Sequence, residues 1–151
     1  LKSNFIVFQN ELIYMHTDTT NDFLKWNPAV ATSANFQIVT KDIDFGEPGR
    51  NKKIYKVLVT YDTGNADPNV QVYFDVNGGT ALNKTFANGT NFSSNELATA
   101  NGWAVAELKP TTSSEANNIK SFQLKFQTSG TVPTGFRIND ISIVYRAKRP
   151  K

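Results

Sequence analysis

The fold is decided by the stretch Lys53-Ile-Tyr-Lys-Val-Leu-Val-Thr-Tyr61, which is followed by a loop and then by Val70-Gln-Val-Tyr-Phe-Asp-Val-Asn77. From Val70 onward every second residue is apolar, and successive side chains of a strand point to opposite faces of a sheet. The loop contains Gly64 and Pro68, which favour turns for steric reasons. This pattern predicts a long β-hairpin whose second strand has one buried face.

The first strand of this hairpin alternates less strictly than the second. Tyr55, Val57, Val59 and Tyr61 are predicted to share one face. The opposite face carries both apolar and polar residues, Leu58 among them. Apolar residues on both faces are typical of strands inside a sheet, so we expect this strand to be the more central one.

The composition limits the choice of fold. The chain has 151 residues, 39% of them hydrophobic and 19% charged, and it has no cysteine. This length suits one domain with a substantial core. The many Asn, Thr and Ser residues favour strands and turns over helices. Without cysteine, neither a disulfide nor a thiolate metal site can form.

The charge pattern gives little support for binding to nucleic acid or to a membrane. The net charge is only +3, and we interpret the basic tail Arg146–Lys151 as a solvated chain end. No apolar run approaches the roughly 20 residues of a membrane-spanning helix, and no signal-peptide pattern is present. We expect neither nucleic acid nor a membrane as a partner. What precedes Leu1 is not determined by the sequence.

Two regions are predicted, with a boundary after residue 35. Short apolar segments between Phe5 and Trp26 indicate an N-terminal β-hairpin, and a run of small residues then indicates a linker. Residues 1–35 are therefore assigned to the hairpin and linker, and residues 36–151 to the main domain. In the alternative interpretation, the first region is the end of a preceding β-rich region such as a propeller blade.

The main domain continues with further strands of alternating pattern. No helix of substance is expected, and a change of phase at Asn139-Asp140 indicates a β-bulge in the last strand. Short strands separated by turn clusters are typical of all-β folds. We predict an antiparallel two-sheet β-sandwich, jelly-roll-like, preceded by the short N-terminal β-hairpin. Besides the central hairpin, its main strands are predicted at Phe36–Thr40, Gly102–Lys109, Ile119–Thr128 and Phe136–Arg146.

The sequence contains no recognisable catalytic arrangement. His16 is the only histidine and lacks a Ser or Cys partner pattern, so a catalytic triad is not expected. Gly78-Gly79 is not followed by the lysine of a phosphate-binding loop. We predict that the protein is not an enzyme.

Three carboxylates offer an alternative interpretation as calcium ligands. Asp42 and Asp44 lie two residues apart, and Asp140 lies at the predicted bulge. Calcium requires several oxygen ligands, and the sequence has no dense acidic loop to supply them. We therefore expect Asp42 and Asp44 to flank a turn and to pair with nearby Lys or Arg. Neither a metal nor a cofactor is predicted.

Aromatic side chains beside polar ones indicate where a sugar would bind. Tyr73 shares a strand face with Asp75 and Asn77, which makes these three residues the best candidate for an exposed polar-aromatic patch and for ligand binding. A solvated sheet surface is the plainer interpretation of the same pattern. Trp103 is expected in the core. Other aromatic candidates are Trp26, Tyr55 and Tyr61.

Two stretches, taken together, resemble a known family of proteins. They are Thr40-Lys-Asp-Ile-Asp-Phe-Gly-Glu-Pro-Gly-Arg-Asn-Lys-Lys-Ile-Tyr-Lys-Val-Leu-Val-Thr-Tyr61 and Asn118-Ile-Lys-Ser-Phe-Gln-Leu-Lys-Phe-Gln-Thr-Ser-Gly-Thr-Val-Pro-Thr-Gly-Phe-Arg-Ile-Asn-Asp-Ile-Ser-Ile-Val-Tyr-Arg146. Both resemble the C-terminal part of virion structural proteins from tailed bacteriophages, in particular of tail-associated proteins.

The resemblance implies a non-enzymatic structural component of a phage particle, located in the virion and acting in assembly or host attachment. Its implied partners are other virion proteins and further copies of the same chain. The resemblance implies no catalytic residue. The residues leave one alternative open, a carbohydrate-binding module or host-glycan adhesin, whose partner would be a host surface glycan. The virion component, the symmetry and the glycan are not determined by the sequence.

Overall fold

The computed structural model of the protein contains two compact units, Leu1–Val30 and Ala31–Lys151. The domain boundary predicted after residue 35 stays a prediction. The structure describes residues 2–8, 11–16, 23–25, 36–87, 89–93, 95–133 and 135–149, and only the backbone of the first three ranges and of Ser93.

The first unit contains an antiparallel sheet of three strands. β1 spans Lys2–Phe8, β2 spans Glu11–His16 and β3 spans Phe23–Lys25. β2 pairs with β1 on one side and with β3 on the other. β1 and β2 therefore form a hairpin, to which β3 adds a third strand.

The second unit contains ten described strands and no helix among its described residues, so the predicted all-β class is confirmed. The strands form one antiparallel sheet that curls into a half-barrel. They are β4 (Gln37–Val39), β5 (Lys52–Asp62), β6 (Val70–Val76), β7 (Lys84–Ala87), β8 (Phe92–Ser93), β9 (Glu96–Leu97), β10 (Ala104–Pro110), β11 (Asn117–Ile119), β12 (Phe122–Thr128) and β13 (Arg137–Ala147).

The order of these strands places β13 and β4 at opposite edges of the sheet. The continuous path runs β11-β5-β10-β7-β6-β12-β4, and β13 pairs with β5 beside it. β5 is thus flanked by β13 on one side and by β10 and β11 on the other, because β10 pairs with the end of β5 and β11 with its beginning. The expectation that β5 is a central strand is confirmed. The predicted hairpin of β5 with β6 is wrong, because β10 and β7 lie between these two strands in the sheet and β6 pairs instead with β7, β9 and β12.

The hydrophobic core is formed largely by the inward faces of β5, β6 and β12. Val70, Val72 and Phe74 are fully buried, so the predicted one-sided pattern of β6 is confirmed from Val70 to Phe74; beyond Phe74 it breaks down, because Asp75 is buried and Val76 is only partly buried. Phe122 and Phe126 lie on the neighbouring β12 and are buried as well. Full burial of one such side chain contributes about 1.5–3 kcal/mol to the free energy of unfolding.

A β-bulge interrupts β13 where the sequence predicts one. Ile138 pairs with Tyr61 and Asp140 pairs with Thr60, so Asn139 is an extra residue on β13. The bulge moves Ile138 and the isoleucines that follow Asp140 onto the same, inward face. The predicted change of phase is therefore confirmed.

A second bulge, in β5, was not predicted. Tyr145 pairs with Ile54 and the residue before it pairs with Lys56, so Tyr55 is the extra residue. Because the strand changes phase there, Ile54 is buried while Tyr55 is 41% exposed. The expectation that Tyr55 shares the buried face of Val57 is wrong for this reason.

Candidate functional site

Tyr73 lies in the middle of β6 and is half-buried. Its hydroxyl donates a hydrogen bond to Oε1 of Gln71 at 2.8 Å. Nζ of Lys125, on the neighbouring β12, lies 4.4 Å from the centroid of the tyrosine ring. This cation–π contact is favourable in itself and occupies one face of the ring.

Asp75, the second predicted ligand-binding residue, is buried and only 2% exposed. Its carboxylate accepts a hydrogen bond from Nζ of Lys84 at 2.7 Å and from the backbone N–H groups of Val76 and Leu82 at 2.9 and 3.0 Å. A Cβ atom added to Gly79 would lie 2.5 Å from the carboxylate, so the turn after β6 packs directly against it. The expectation that Asp75 is part of an exposed patch is wrong.

The hydrogen bonds around Asp75 stabilise its ionised form. Burial acts to raise the pKa of this carboxyl group. The hydrogen bond from Lys84 and the two backbone N–H donors outweigh that effect, so the pKa lies below its usual value. Asp75 and Lys84 therefore form an ion pair that connects β6 to β7.

Asn77 is exposed and belongs to the tight turn that follows β6. Its backbone has a φ of 55°, a left-handed conformation in which asparagine is enriched. Its Oδ1 accepts a hydrogen bond from the backbone N–H of Lys120 at 2.6 Å. The structure thus gives each of Tyr73, Asp75 and Asn77 a partner within the protein, and the assignment of these three to ligand binding stays a prediction.

Trp103 lies at the surface, immediately before β10, and is 54% exposed. The expectation that it packs in the core is wrong. On β10, Ala106 and Leu108 are buried, whereas Val105 is 45% exposed. Glu107 shares the outward face with Val105, and a charged residue on that face was the signal in the sequence that it meets solvent.

Trp103, Val105 and Arg137 form an exposed surface that rests on the buried Asp62, and these four residues are called here the Trp103 platform. The guanidinium carbon of Arg137 lies 5.3 Å from the centroid of the indole ring. Nη2 of Arg137 also donates to Oδ2 of Asp62 at 2.7 Å. The platform therefore combines an aromatic face with a cation held in position by a carboxylate.

The electrostatics of the Trp103 platform depend on Asp62, which is 7% exposed. The backbone N–H of Gly64 donates to its Oδ1 at 2.9 Å, and this hydrogen bond, followed by that from Arg137, lowers the pKa of the carboxyl group. Asp62 is thus ionised near neutral pH and orients Arg137. The side chain of Arg137 is 65% exposed, so further N–H donors face solvent.

The carboxylates considered as calcium ligands have separate local partners. Oδ2 of Asp42 accepts from the hydroxyl of Ser121 at 2.6 Å, and Oδ1 of Asp44 accepts from the backbone N–H of Gly46 at 2.9 Å. Asp140 accepts from the hydroxyl of a residue on its own strand. Neither Asp42 nor Asp44 pairs with Lys or Arg in the described residues, contrary to expectation. Within this part of the chain no three His, Cys, Asp or Glu residues come together as a metal site.

Lys52 is a buried cation that sequence reasoning did not single out. Its Nζ donates to the backbone carbonyls of Glu47, Arg50 and Lys120, the latter two at 3.0 and 2.9 Å. The ring of Phe45 lies below it, with the centroid 5.9 Å from Nζ. All three donors of the ammonium group are used to hold the loop before β5 against the chain before β12.

The remaining aromatic candidates differ in their surroundings. Tyr61 is fully buried, and its hydroxyl lies 3.0 and 2.8 Å from the carbonyl oxygens of Asn91 and Ala98, between which its single proton is shared. Burial raises the pKa of Tyr61 to about 12. Tyr55 is exposed at the other end of β5. Trp26 and the side chain of His16 lie outside the described residues.

Comparisons with known proteins place this chain in no group: no protein-family model, no curated protein and no solved structure matches it. In the part of the chain that the structure describes, no helix has the length and apolar character needed to cross a membrane.

Proposed function

We propose that this protein is a non-enzymatic structural component of a bacteriophage particle, in the tail or associated with it. It acts in assembly or host attachment through contacts with other virion proteins and with copies of itself. The resemblance of residues 40–61 and 118–146 to tail-associated proteins motivates the proposal. The observation that carries it is the pairing of these two stretches, because they supply most of β5 and β13, which pair along their whole length.

The exposed apolar side chains at the sheet edges support a role in protein–protein contacts. On β4, Ile38 and Val39 are 54% and 38% exposed, and on β13, Val144 and Tyr145 are 38% and 40% exposed. Apolar side chains on edge strands favour association with another chain. A structural component of a particle uses such edges without any catalytic group.

We further propose that the half-barrel is a jelly-roll-like two-sheet β-sandwich. One layer is β13-β5-β10 and the other is β6-β12-β4, with the short β7 as their connection. Two aromatic contacts support this arrangement. The ring centroids of Phe36, next to β4, and Phe136, next to β13, are 6.3 Å apart. Phe45 lies in the loop between β4 and β5, whose Ile43 bridges to Phe122 on β12, and its ring centroid lies 4.2 Å from that of Tyr145 on β13.

Analysis of purified particles tests the proposed function. Mass spectrometry of virions from the phage that encodes this chain is expected to detect its peptides in a fixed ratio to a known tail protein. Immunogold labelling with an antibody against the purified protein is expected to mark one part of the particle. Absence from washed, intact virions would contradict the proposal.

The alternative function, glycan binding, is favoured by one observation, the exposure of Trp103 beside Arg137. An indole face stacks on the apolar face of a sugar ring, and guanidinium N–H groups donate to hydroxyl or carboxylate oxygens. A glycan array, probed with and without calcium, tests this function. Trp103→Ala is expected to abolish any binding, while Tyr55→Ala is the matched control. Loss of binding in Tyr73→Ala instead would assign the ligand to the patch predicted from the sequence.

A further inference from the structure

β13 is a long strand at the edge of the sheet that the structure describes. It spans the eleven residues Arg137–Ala147 and pairs with β5 along its length. No other strand in the described part of the chain pairs with β13. The N–H and C=O groups on the free side of an edge strand can bond to a further strand. β13 is therefore a place where the sheet can be extended.

The side chains of β13 are sorted between two faces. Ile141 and Ile143 pair with the core residues Val59 and Val57 of β5, so they lie on the inward face, and Tyr145 follows them there. The outward face carries polar and charged residues and one apolar residue, Val144. None of the eleven residues is fully buried. A strand placed alongside β13 would therefore cover apolar side chains on the inward face.

Asp140 and Arg146 make β13 complementary to itself in charge. Both are exposed, lie on the outward face, and are equally distant in sequence from Ile143. The carboxylate of Asp140 accepts a hydrogen bond from Ser142 at 2.8 Å, and the side chain of Arg146 has no hydrogen bond or ion pair with any other described residue. If two β13 strands run antiparallel with Ile143 opposite Ile143, Asp140 of each copy faces Arg146 of the other.

We propose that two copies of this chain form a two-fold symmetric dimer in which the β13 strands pair in this register and join the two sheets. The same register places Ile141 opposite Tyr145, an aromatic and β-branched pair that is favourable across strands. A two-fold interface requires a surface that is complementary to itself. The charge pattern of β13 meets that requirement, and this identifies a second copy as the occupant.

Neighbouring registers are less favourable. With Ser142 at the centre, Asp140 faces the apolar Val144. With Val144 at the centre, Ser142 faces Arg146 and Asp140 faces Lys148, whose Nζ already donates to Asn118 within its own chain. Of these three registers, the one centred on Ile143 pairs Asp140 with Arg146, the two charges of the strand that have no ion pair with another described residue. Like charges placed opposite each other across strands are destabilising. Reversing the charge of Asp140 or of Arg146 therefore tests this register directly.

Charge-reversal variants of the purified full chain test the dimer. Light scattering and sedimentation velocity are expected to give twice the 16.8 kDa of the chain. Asp140→Arg and Arg146→Asp each create two symmetry-related pairs of like charges across the dimer. This is expected to raise the dissociation constant at least about tenfold. The double variant Asp140→Arg/Arg146→Asp restores opposite pairs and is expected to restore the dimer. Glu115→Arg and Lys120→Asp, which change exposed residues away from β13, are matched controls.

Hydrogen exchange supplies a second readout. Amides between Asp140 and Arg146 are expected to gain protection as the protein concentration rises through the dissociation constant. The inference would be overturned if the wild-type chain stays monomeric or if the double variant does not dimerise. It would also be overturned if neither Asp140→Arg nor Arg146→Asp changes the dissociation constant of the dimer.

The dimer rests on the proposed assembly function for its biological role, and the two can fail separately. A dimeric protein absent from virions would contradict the proposed function alone. A monomeric protein present in virions would contradict the dimer alone.

Discussion

Asp75 is the residue whose surroundings contribute most clearly to local stability. Its carboxylate holds Lys84 and two backbone N–H groups, and the turn at Gly79 leaves no room for a larger residue beside it. A buried carboxylate needs such donors, because an unpaired buried charge is strongly unfavourable. The ion pair thus stabilises the connection between β6 and β7.

Removing Asp75 is expected to destabilise the protein. Asp75→Ala leaves the N–H groups of Val76 and Leu82 without their acceptor and should lower the free energy of unfolding by about 1–3 kcal/mol. A double-mutant cycle of Asp75→Asn and Lys84→Met, measured by urea unfolding, should give a coupling energy of about 0.5–3 kcal/mol. Additive effects of the two changes would show that the ion pair contributes nothing.

The pH dependence of stability is expected to reflect Glu107. Hydrogen bonds from Lys109 and Lys56 lower its pKa from the usual 4.5 to about 2. Because the folded pKa is the lower one, the contribution to stability is complete above pH 4.5 and is lost as the pH falls from 4.5 through about 2. Urea unfolding in this range should show a smaller loss of stability for Glu107→Gln than for the wild type. An equal loss would contradict the assignment.

At the scale of elements, two loops at one end of the sheet approach each other through their backbones. The loop after β5 contains Gly64, and the loop before β13 contains Gly135. A Cβ atom on Gly135 would lie 2.8 Å from the Cα atom of Gly64, closer than such atoms normally come. Both positions therefore need glycine for this contact, and Gly64 also has a φ of 63°.

Gly135→Ala is expected to separate the two loops. The clash falls on backbone atoms that cannot rotate away, so the free energy of unfolding should fall by about 1–3 kcal/mol. Gly49→Ala is the matched control, because a Cβ atom there would meet nothing within 4 Å. Equal stabilities of the two variants in urea unfolding would show that the close approach is unimportant.

At the scale of the whole molecule, every buried hydrophobic residue that the structure describes lies between Ile54 and Val132. This observation leads to a prediction for a shortened chain. A protein of residues 36–151 should fold with the same β-rich circular dichroism spectrum. Its free energy of unfolding should lie close to that of the full chain, because it keeps every buried hydrophobic residue that the structure describes. A chain of residues 36–151 that fails to fold would contradict the domain boundary predicted from the sequence.

The strands were predictable where burial alone decides the pattern. β6 and β12 have apolar residues at alternate positions, and Phe74 and Phe122 are buried as that alternation predicts. The prediction for β10 was wrong at Trp103, which was expected in the core: Trp103 is 54% exposed, and Ala106 is buried. The space inside the sheet accepts small side chains there, and a sequence contains no measure of that space.

The candidate sites were less predictable than the strands. The outward face of β6 was recognised, but the pairing of Asp75 with Lys84 depends on how the chain turns after β6. The Trp103 platform joins side chains from three separate parts of the chain. Arg137 and Asp62 are 75 residues apart, and nothing local to either indicates the other.

The sequence by itself determined the all-β class, the strands β5 and β6 and the bulge in the last strand, because a period of two and its interruptions follow from the geometry of a single strand. Which strands pair was decided by the tertiary structure, and the predicted hairpin of β5 with β6 is wrong. Only the tertiary structure decided that Tyr55 bulges from β5, that Asp75 is buried, and that Trp103 is exposed beside Arg137. These features depend on strand register and on contacts between distant segments, which the local pattern of residues does not contain.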